Sequence, residues 1–399
     1  MIPLDEALTI LEQVVRKIRL PNELIPVNQA LSRIVTENVV SRLDLPPFDK
    51  AAMDGYAVIA DNERDKYQLI DTVPAGKVSA FKLSSGKTIK VMTGAPLPEN
   101  TAKVIRLEYA SENNGIVNIH TPEKCSNICS QGEDICRGDL IIKAKTFIGP
   151  LEIANLIACG ITKIKVVHRP RVFIISTGDE LTDDFKQYKT GKIMNTNGPM
   201  LTSLCQMHHL NIVNNLSIPD DKETTISTIK TALHTADIVI LSGGVSVGEY
   251  DFVESAFKEL ELKLHFNKIA VKPGKPMTFA SSGNEILFGL PGNPVSVYLM
   301  FYLFVLQAAK LITGINTKIE YSKYILGQNF KRDSAKRAEY RPCKIDIDNT
   351  IKLVNYNGSA HLLALSQSDG FFIIPQGIIE LVAGSKVDFL PIKKNFHER

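Results

Sequence analysis

Apolar residues recur at helical spacing at the start of the chain: Leu4, Leu8, Leu11, Val15 and Ile18. Asp5 and Glu6 stand in the first turn, where the helix dipole favours acids. The pattern predicts an amphipathic helix. From Pro46 to about Pro122 the periodicity shortens to β-rich runs such as Tyr67–Ile70, Thr88–Met92, Val104–Tyr109 and Ile116–His120. Gly, Pro, Asn and Ser punctuate these runs, so a small β domain is expected. Pro150–Cys159 reads as a helix, with Pro at its start and Gly160 just past its end.

From Pro170 strands and helices alternate. Arg171–Ser176, Ile238–Ser242, Lys263–Val271 and Ile286–Leu290 read as strands, and His209–Ile218 as extended chain. Helices are expected near Asn197–His208, Asp220–Ala236, Phe252–Leu260 and Pro294–Ile312. Such alternation means βα units and a mostly parallel sheet. After about Thr317 the texture is β-rich again, at Tyr340–Ile345, Ile351–Asn355, Gly370–Ile374 and Lys386–Leu390. A second small β domain is expected there.

The one long apolar run, Val295–Ile312, is broken by Ser296, Gln307 and Lys310. A membrane span needs about 20 clean apolar residues, so a buried helix is expected. Its segment Val297–Leu306 has more apolar surface than one helix face needs; the excess lies either at a subunit contact or within the α/β core. Met1–Lys17 lacks the apolar segment of a signal peptide.

Composition acts mainly by exclusion. A chain of 399 residues suggests two or three domains at roughly 150 residues each. With 44% hydrophobic and 22% charged residues, it is not a disordered, coiled-coil or collagen-like chain. A net charge of +3 makes no case for a nucleic-acid partner. Six cysteines are too few for a disulfide scaffold and suit a reducing compartment. A soluble cytoplasmic protein is expected, without membrane or nucleic-acid partners.

Three strand–helix junctions share one design. Ser176-Thr177-Gly178-Asp179-Glu180 follows the first strand, and Ser242-Gly243-Gly244-Val245-Ser246-Val247-Gly248-Glu249-Tyr250-Asp251 follows another. Leu290-Pro291-Gly292-Asn293-Pro294 follows the last and opens the long helix. Ligands of open α/β sheets bind beyond the carboxyl ends of strands, so the three loops should face one crevice. Glycines allow close approach of backbone to ligand, and Asn293 capping a helix that begins at Pro294 would expose N–H groups to an anion. Asp179, Glu180, Asp220, Asp221, Glu249 and Asp251 sit among these loops. Carboxylates beside a phosphate repel it unless a cation intervenes, which points to Mg²⁺. Asp220 and Asp221, after Pro219, serve equally well as helix caps. Lys272-Pro273-Gly274-Lys275-Pro276 sets two cations on a rigid turn, either to bind an oxyanion or as exposed hairpin residues.

Other signals dissolve on inspection. Gly86-Lys87-Thr88 resembles the end of a P-loop, but Phe81 stands where the first Gly is required. Cys125, Cys129 and Cys136 match no closed zinc spacing. His208-His209 reads as a helix end.

The remaining special strings lie in the first half: PPFDKAAMDGYAV (46–58), MTGAPLP (92–98) and GEDI (132–135). Joined in order by STGDEL (176–181), SGGVSVGEYDF (242–252), KPGKP (272–276) and GLPGNPVS (289–296), they resemble the MoeA/gephyrin E-domain family, the molybdopterin molybdenumtransferases. The resemblance runs from about residue 1 to 395.

It implies a multidomain α/β plus β fold: a central doubly wound, mostly parallel α/β domain at 169–317, of molybdopterin-binding type. An inserted β domain would occupy 45–133, a helical region would combine 1–44 with 134–168, and a β-barrel-like domain would occupy 318–399. The resemblance also implies a homodimer whose composite active cleft joins the α/β domain of one subunit to the N-terminal β domain of the other. The activity implied is Mg²⁺-assisted insertion of molybdate into adenylylated molybdopterin, with release of AMP. A separate molybdopterin adenylyltransferase and apo-molybdoenzymes or their chaperones would be partners.

The residues implied as catalytic are Asp54, Thr93, Asp134, Glu180, Asp220 and Asp251, with Glu180 and Asp251 as Mg²⁺ ligands. Those implied for substrate binding are Gly178, Ser242, Gly243, Gly244, Ser246, Lys272, Lys275, Pro291, Gly292, Asn293 and Pro294. Ala51 departs from a common Ser, Lys103 from a common Asp, and Cys129 from a common Arg, which removes one anion contact. A tungstate-inserting relative and a non-catalytic scaffold of the same fold are the alternatives. The scaffold would be expected to carry a second fused domain and a long linker; one α/β domain and no low-complexity linker are read in this sequence, so the stand-alone enzyme is expected.

Overall fold

Strict alternation of buried residues along one strand builds two cores at once. In the computed structural model, which describes residues 1–60, 64–244, 257, 259–316 and 318–392, strand β1 (Arg171–Thr177) is buried on both faces. Val172 and Ile174 enter one apolar cluster, Phe173 and Ile175 another. Period-two geometry requires this when helices cover both faces of a sheet.

The sheet has six strands. In chain order they are β1, β2 (Asn211–Ile218), β3 (Ile238–Ser242), β4 (Lys263–Lys268), β6 (Pro276–Ser282) and β7 (Glu285–Leu290), with a short β5 (Val271–Lys272) outside the sheet. Their spatial order is β2-β1-β3-β7-β6-β4. The first four are parallel, and β6 and β4 extend the sheet antiparallel. Helices α1 (Leu4–Val15), α2 (Asn197–Met207) and α4 (Pro294–Ile312) contribute to the larger core, and α3 (Lys222–Thr235) to the smaller.

The apolar run of α4 is consumed inside this unit. Val297, Leu299, Met300, Phe301, Leu303, Phe304 and Val305 are fully buried. Each such large side chain contributes about 1.5–3 kcal/mol on burial. A π-helical segment, Phe301–Val305, widens the helix midway, and Gln307 satisfies its amide on the Tyr302 carbonyl at 3.1 Å. Of the two places open to this apolar surface, the α/β core takes most of it, and Tyr298 and Tyr302 stay partly exposed.

The chain divides into two compact units, residues 1–22 with 167–399, and 23–166. Helix α1 thus belongs with the α/β core; only residues 23–44 join 134–166. In the first unit the C-terminal segment closes a barrel from β8 (Ser322–Leu326), β9 (Ala338–Ile345), β10 (Thr350–Leu353), β11 (Gly370–Ile374) and β12 (Lys386–Pro391). The order β9-β10-β8-β12-β11 is closed by pairing of β9 with β11. Strand β5 stitches onto it, Val271 opposite Ala338 and Lys272 opposite Glu339. The KPGKP turn is anchored to the barrel by this pairing.

The second unit holds a six-stranded sheet in the order Lys103–Arg106, Gly55–Val58, Lys87–Val91, Lys66–Val73, Ile116–Ile119, Ala110–Asn113. Gly55 is required there, since a Cβ would stand 2.2 Å from the Ile105 carbonyl oxygen. In the same unit, the helix Pro150–Ala158 packs Leu156 among Ile25, Val27, Ile148 and Ile164.

Candidate active site

Register brings the junction loops of the α/β unit side by side. Ser176 is paired with Ser242, and Ser242 with Leu290, so the ends of β1, β3 and β7 are level. Thr177 is paired with Ile218, which adds the Asp220 loop after β2. Strand β1 lies between β2 and β3, the switch point at which a doubly wound sheet opens its crevice. Gly243 and Gly244 have φ of +94° and +63°. A Cβ on Gly243 would meet the Thr177 carbonyl oxygen at 2.2 Å, and one on Gly244 would meet Thr177 Cγ2 at 2.9 Å. Only glycine lets these loops approach so closely.

Asn197, at the start of α2, binds two of the loops together. Its Nδ2 donates to Ser242 Oγ at 2.8 Å and to the Gly292 carbonyl at 2.7 Å. Among the described residues its Oδ1 is buried without a hydrogen-bond partner, as is the hydroxyl of Ser176. Sequence reasoning missed Asn197; the Asn-Gly-Pro at a helix start was the available signal.

The acids divide by their partners. Thr177 Oγ1 donates to Asp220 Oδ1 at 3.1 Å, and the Asp220 amide donates to Asp179 Oδ1 at 3.1 Å. Asp221 caps α3 by accepting from the Thr224 amide at 2.9 Å, and its hydrogen bonds with Thr224 hold its carboxyl below the usual value. Glu180 is exposed and folds its carboxylate over Gly178, where a Cβ would stand 2.7 Å away. Ser246, Glu249 and Asp251, with the helix expected at Phe252–Leu260, fall largely outside the described residues; Ser246, Glu249 and Asp251 lie wholly so. Among the described residues no three His, Cys, Asp or Glu side chains form a metal cage. Mg²⁺ commonly takes one or two carboxylates, with substrate phosphates and water as its other ligands. Glu180, exposed at the crevice, fits that donor chemistry.

Beside the third loop lies a cleft of about 510 Å³. Lys272, Lys275, Arg337 and Arg341 line it, with Pro291, Asn293, Ser296, Tyr356 and Ser359. Asn293 does not cap the helix that Pro294 begins. Its Nδ2 donates instead to Ser359 Oγ at 2.7 Å, and the Val295 amide donates to the Ser359 carbonyl. The barrel thus takes the role expected of the Asn293 side chain. The guanidinium of Arg341 lies 5.0 Å from the Phe330 ring and 5.4 Å from that of Tyr356, a cation–π setting that fixes its plane. Gly274, at φ +115°, presses against Met300 of α4. Arg337, Glu339 and Arg341 were missed in the sequence, although charges at i, i+2 and i+4 of a strand signal one shared face.

Asp54, Thr93 and Asp134 belong to the other unit. The Thr93 amide and hydroxyl donate to Asp54 Oδ1 at 2.6 and 2.8 Å. The amide first and the hydroxyl second hold the Asp54 carboxyl below its ordinary value. The GEDI turn is held by Asp44, which accepts from the Arg137 amide and the Gln131 side chain, both at 2.8 Å. Asp49 accepts from the Gln131 amide at 2.7 Å, and the Asp134 amide donates to the Leu45 carbonyl. The strings 45–54, 92–98 and 128–137 therefore form one laced set. Cys129 pairs in it opposite Lys50, and all three clustered cysteines are free thiols.

Comparison with known proteins accounts for nearly the whole chain. The MoeA N-terminal region (domains I and II) matches residues 2–160, a probable molybdopterin-binding domain residues 173–310, and the MoeA C-terminal region (domain IV) residues 324–392. A molybdopterin molybdenumtransferase of Staphylococcus aureus is 30% identical over 385 residues, 93% of this chain and 91% of its own. The one of Staphylococcus epidermidis is 30% identical over 392 residues, covering 96% and 94%. The crystal structure of the MoeA molybdopterin biosynthesis protein of Pyrococcus horikoshii superposes with a TM-score of 0.81 at 30% identity, covering 98% of this chain and 99% of that one. Fold, motif order and full-length similarity agree: the chain belongs to the MoeA family, the molybdopterin molybdenumtransferases of molybdenum cofactor biosynthesis.

Proposed function

We propose that this protein inserts molybdate into adenylylated molybdopterin and releases AMP, with Mg²⁺, as a cytoplasmic homodimer. The observation that carries the reading is the cleft with four cationic side chains, Lys272, Lys275, Arg337 and Arg341, opening beside the Pro291–Asn293 loop of the sheet crevice. A tetrahedral dianion suits such a cluster. The neighbouring Gly-rich loops suit a phosphorylated pterin.

The residues then act by position and charge. Lys272, Lys275, Arg337 and Arg341 hold the oxyanion, and Asn293 and Ser359 border it. Gly243 and Gly244 leave room for the substrate's pyrophosphate, and Asn197 keeps their loop level with Gly292. Glu180, with Asp251, would hold Mg²⁺, which when bound offsets the charge of that pyrophosphate. The phosphoanhydride bond breaks, water supplies the oxygen of the new bond to phosphorus, and AMP leaves. Asp54 and Thr93 act nearer the molybdate, from the partner subunit. Leu24, Phe147, Leu151 and Ile157 are exposed apolar side chains of the 23–166 unit, which supports a subunit contact there. The product would pass to apo-molybdoenzymes or their chaperones, and a separate adenylyltransferase would supply the substrate.

The test is reconstitution with purified adenylylated molybdopterin, molybdate and Mg²⁺. Molybdate-dependent AMP release and a functional cofactor are expected. No AMP with all three present overturns the reading, and a tungstate arm resolves oxyanion preference, since the two ions share shape and charge.

A further inference from the structure

Two of the cleft's four cations, Lys272 and Arg341, share a buried counter-ion that the reaction as described does not use. Glu339 is 2% exposed, and strand register sets it directly opposite Lys272. Its Oε1 lies 3.3 Å from Lys272 Nζ and 3.7 Å from the Arg341 guanidinium; its Oε2 lies 3.6 Å from that of Arg332. Arg332 is itself buried, and it donates to the carbonyls of Arg337, Pro375 and Ile378. It is a framework cation and balances one charge of the set. Lys272 and Arg341 differ, since both line the cleft, as Glu339 itself does behind them at 2% exposure.

Buried ion networks are weak contributors to stability, and apolar replacements often serve as well. Among the described residues Glu339 Oε2 even lacks a hydrogen-bond donor, and the Nε of Arg341 lacks an acceptor. A network so incompletely satisfied is better explained by what it positions. A lysine on a flexible stem otherwise samples many rotamers, and fixing them on binding weakens affinity.

We propose that Glu339 is a positioning residue, which holds Lys272 and Arg341 with their charges facing the cleft before the oxyanion arrives. This rests on the reading that the cleft takes the oxyanion substrate. Two effects of Glu339 oppose each other. Its negative charge repels an incoming dianion, while its grip on the two cations prepares the site. Substitution decides between them by sign.

The experiment measures molybdate binding to the full-length protein by equilibrium dialysis. Glu339→Gln keeps the shape and removes the charge. Positioning predicts a Kd raised by roughly tenfold or more, whereas charge alone predicts tighter binding. In a Lys272→Gln background the same substitution should have a clearly smaller effect, because one of the two residues it acts through is gone. An effect undiminished there would mean general damage to the barrel and would overturn the proposal. So would wild-type or tighter binding by Glu339→Gln. Thermal melting checks the fold. Should loss of the Arg332 partner unfold Glu339→Gln, Glu339→Asp keeps the charge and withdraws it by one methylene, and the same weakening and the same cycle are expected of it. Wild-type protein that retains no molybdate overturns the reading of the cleft itself, and this inference with it.

Discussion

Asn197 Nδ2 donates to the carbonyl oxygen of Gly292 across 2.7 Å, tying the start of α2 to the loop after β7. The same nitrogen reaches Ser242, so one amide sets the spacing of two substrate loops. Asn197→Ala should lower kcat/KM by about 10- to 100-fold, the scale on which misplacement of about 1 Å acts. Asn197→Asp, which puts an acceptor opposite the Gly292 carbonyl, should lose more. Steady-state kinetics on both variants, with melting curves as fold control, checks the order.

Gly243 is the tightest point of the crevice. Alanine there would carry a positive φ, costing about 1–3 kcal/mol, and a methyl group 2.2 Å from the Thr177 oxygen. Gly243→Ala should melt several degrees lower and be nearly inactive. Alanine at Gly76, whose Cβ would meet nothing within 4 Å, carries only the backbone strain and should leave turnover unchanged.

Glu123 gives the 23–166 unit an acid-sensitive element. Burial would raise its carboxyl, but hydrogen bonds from the Arg106 side chain and the Cys125 and Arg106 amides outweigh this and bring it to about 2. A depressed folded-state value stabilises the native state above the unfolded value, near 4.5, and the benefit disappears as pH falls toward 2. The contribution has a ceiling of about 3 kcal/mol. Chemical denaturation from about pH 6 down to about pH 2 should show this loss, and Glu123→Gln should flatten the slope across that window.

Subunit complementation tests the proposed composite cleft. Asp54→Ala and Lys275→Ala carry lesions in different units of the chain. If each cleft draws on two subunits, a heterodimer gathers both lesions in one cleft and leaves the other intact, so reassorted mixtures recover turnover. If heterodimers form and the mixture stays inactive, both residues serve a cleft within one chain.

Local rules explain what is legible before folding. Pro294 at the first position of α4 and glycines after β1 and β3 are dictated within a few residues. The antiparallel strand β6 is hidden in the sequence, since Pro276 and Ser281-Ser282 form its ends and leave only Met277–Ala280 buried between them. Asn293 reads as a cap because that is its best local partner. Ser359, supplied by a barrel far along the chain, outcompetes that role. Glu339 meets Lys272 only because β5 joins a barrel strand, so the pairing cannot be read from either segment alone. Positions fixed by neighbours in sequence are readable; those fixed by tertiary register are not.

The path of the chain bears on how the protein is made. Helix α1 leaves the ribosome long before α4, yet it packs against residues of that later helix. A twelve-residue helix is marginal alone in water. Between the two come residues 23–166, entered and left through the paired strands Asn22–Pro26 and Lys163–Val167. The nascent chain must therefore carry the apolar face of α1, Leu11 and Val15 included, without its α4 partner while the intervening unit is made.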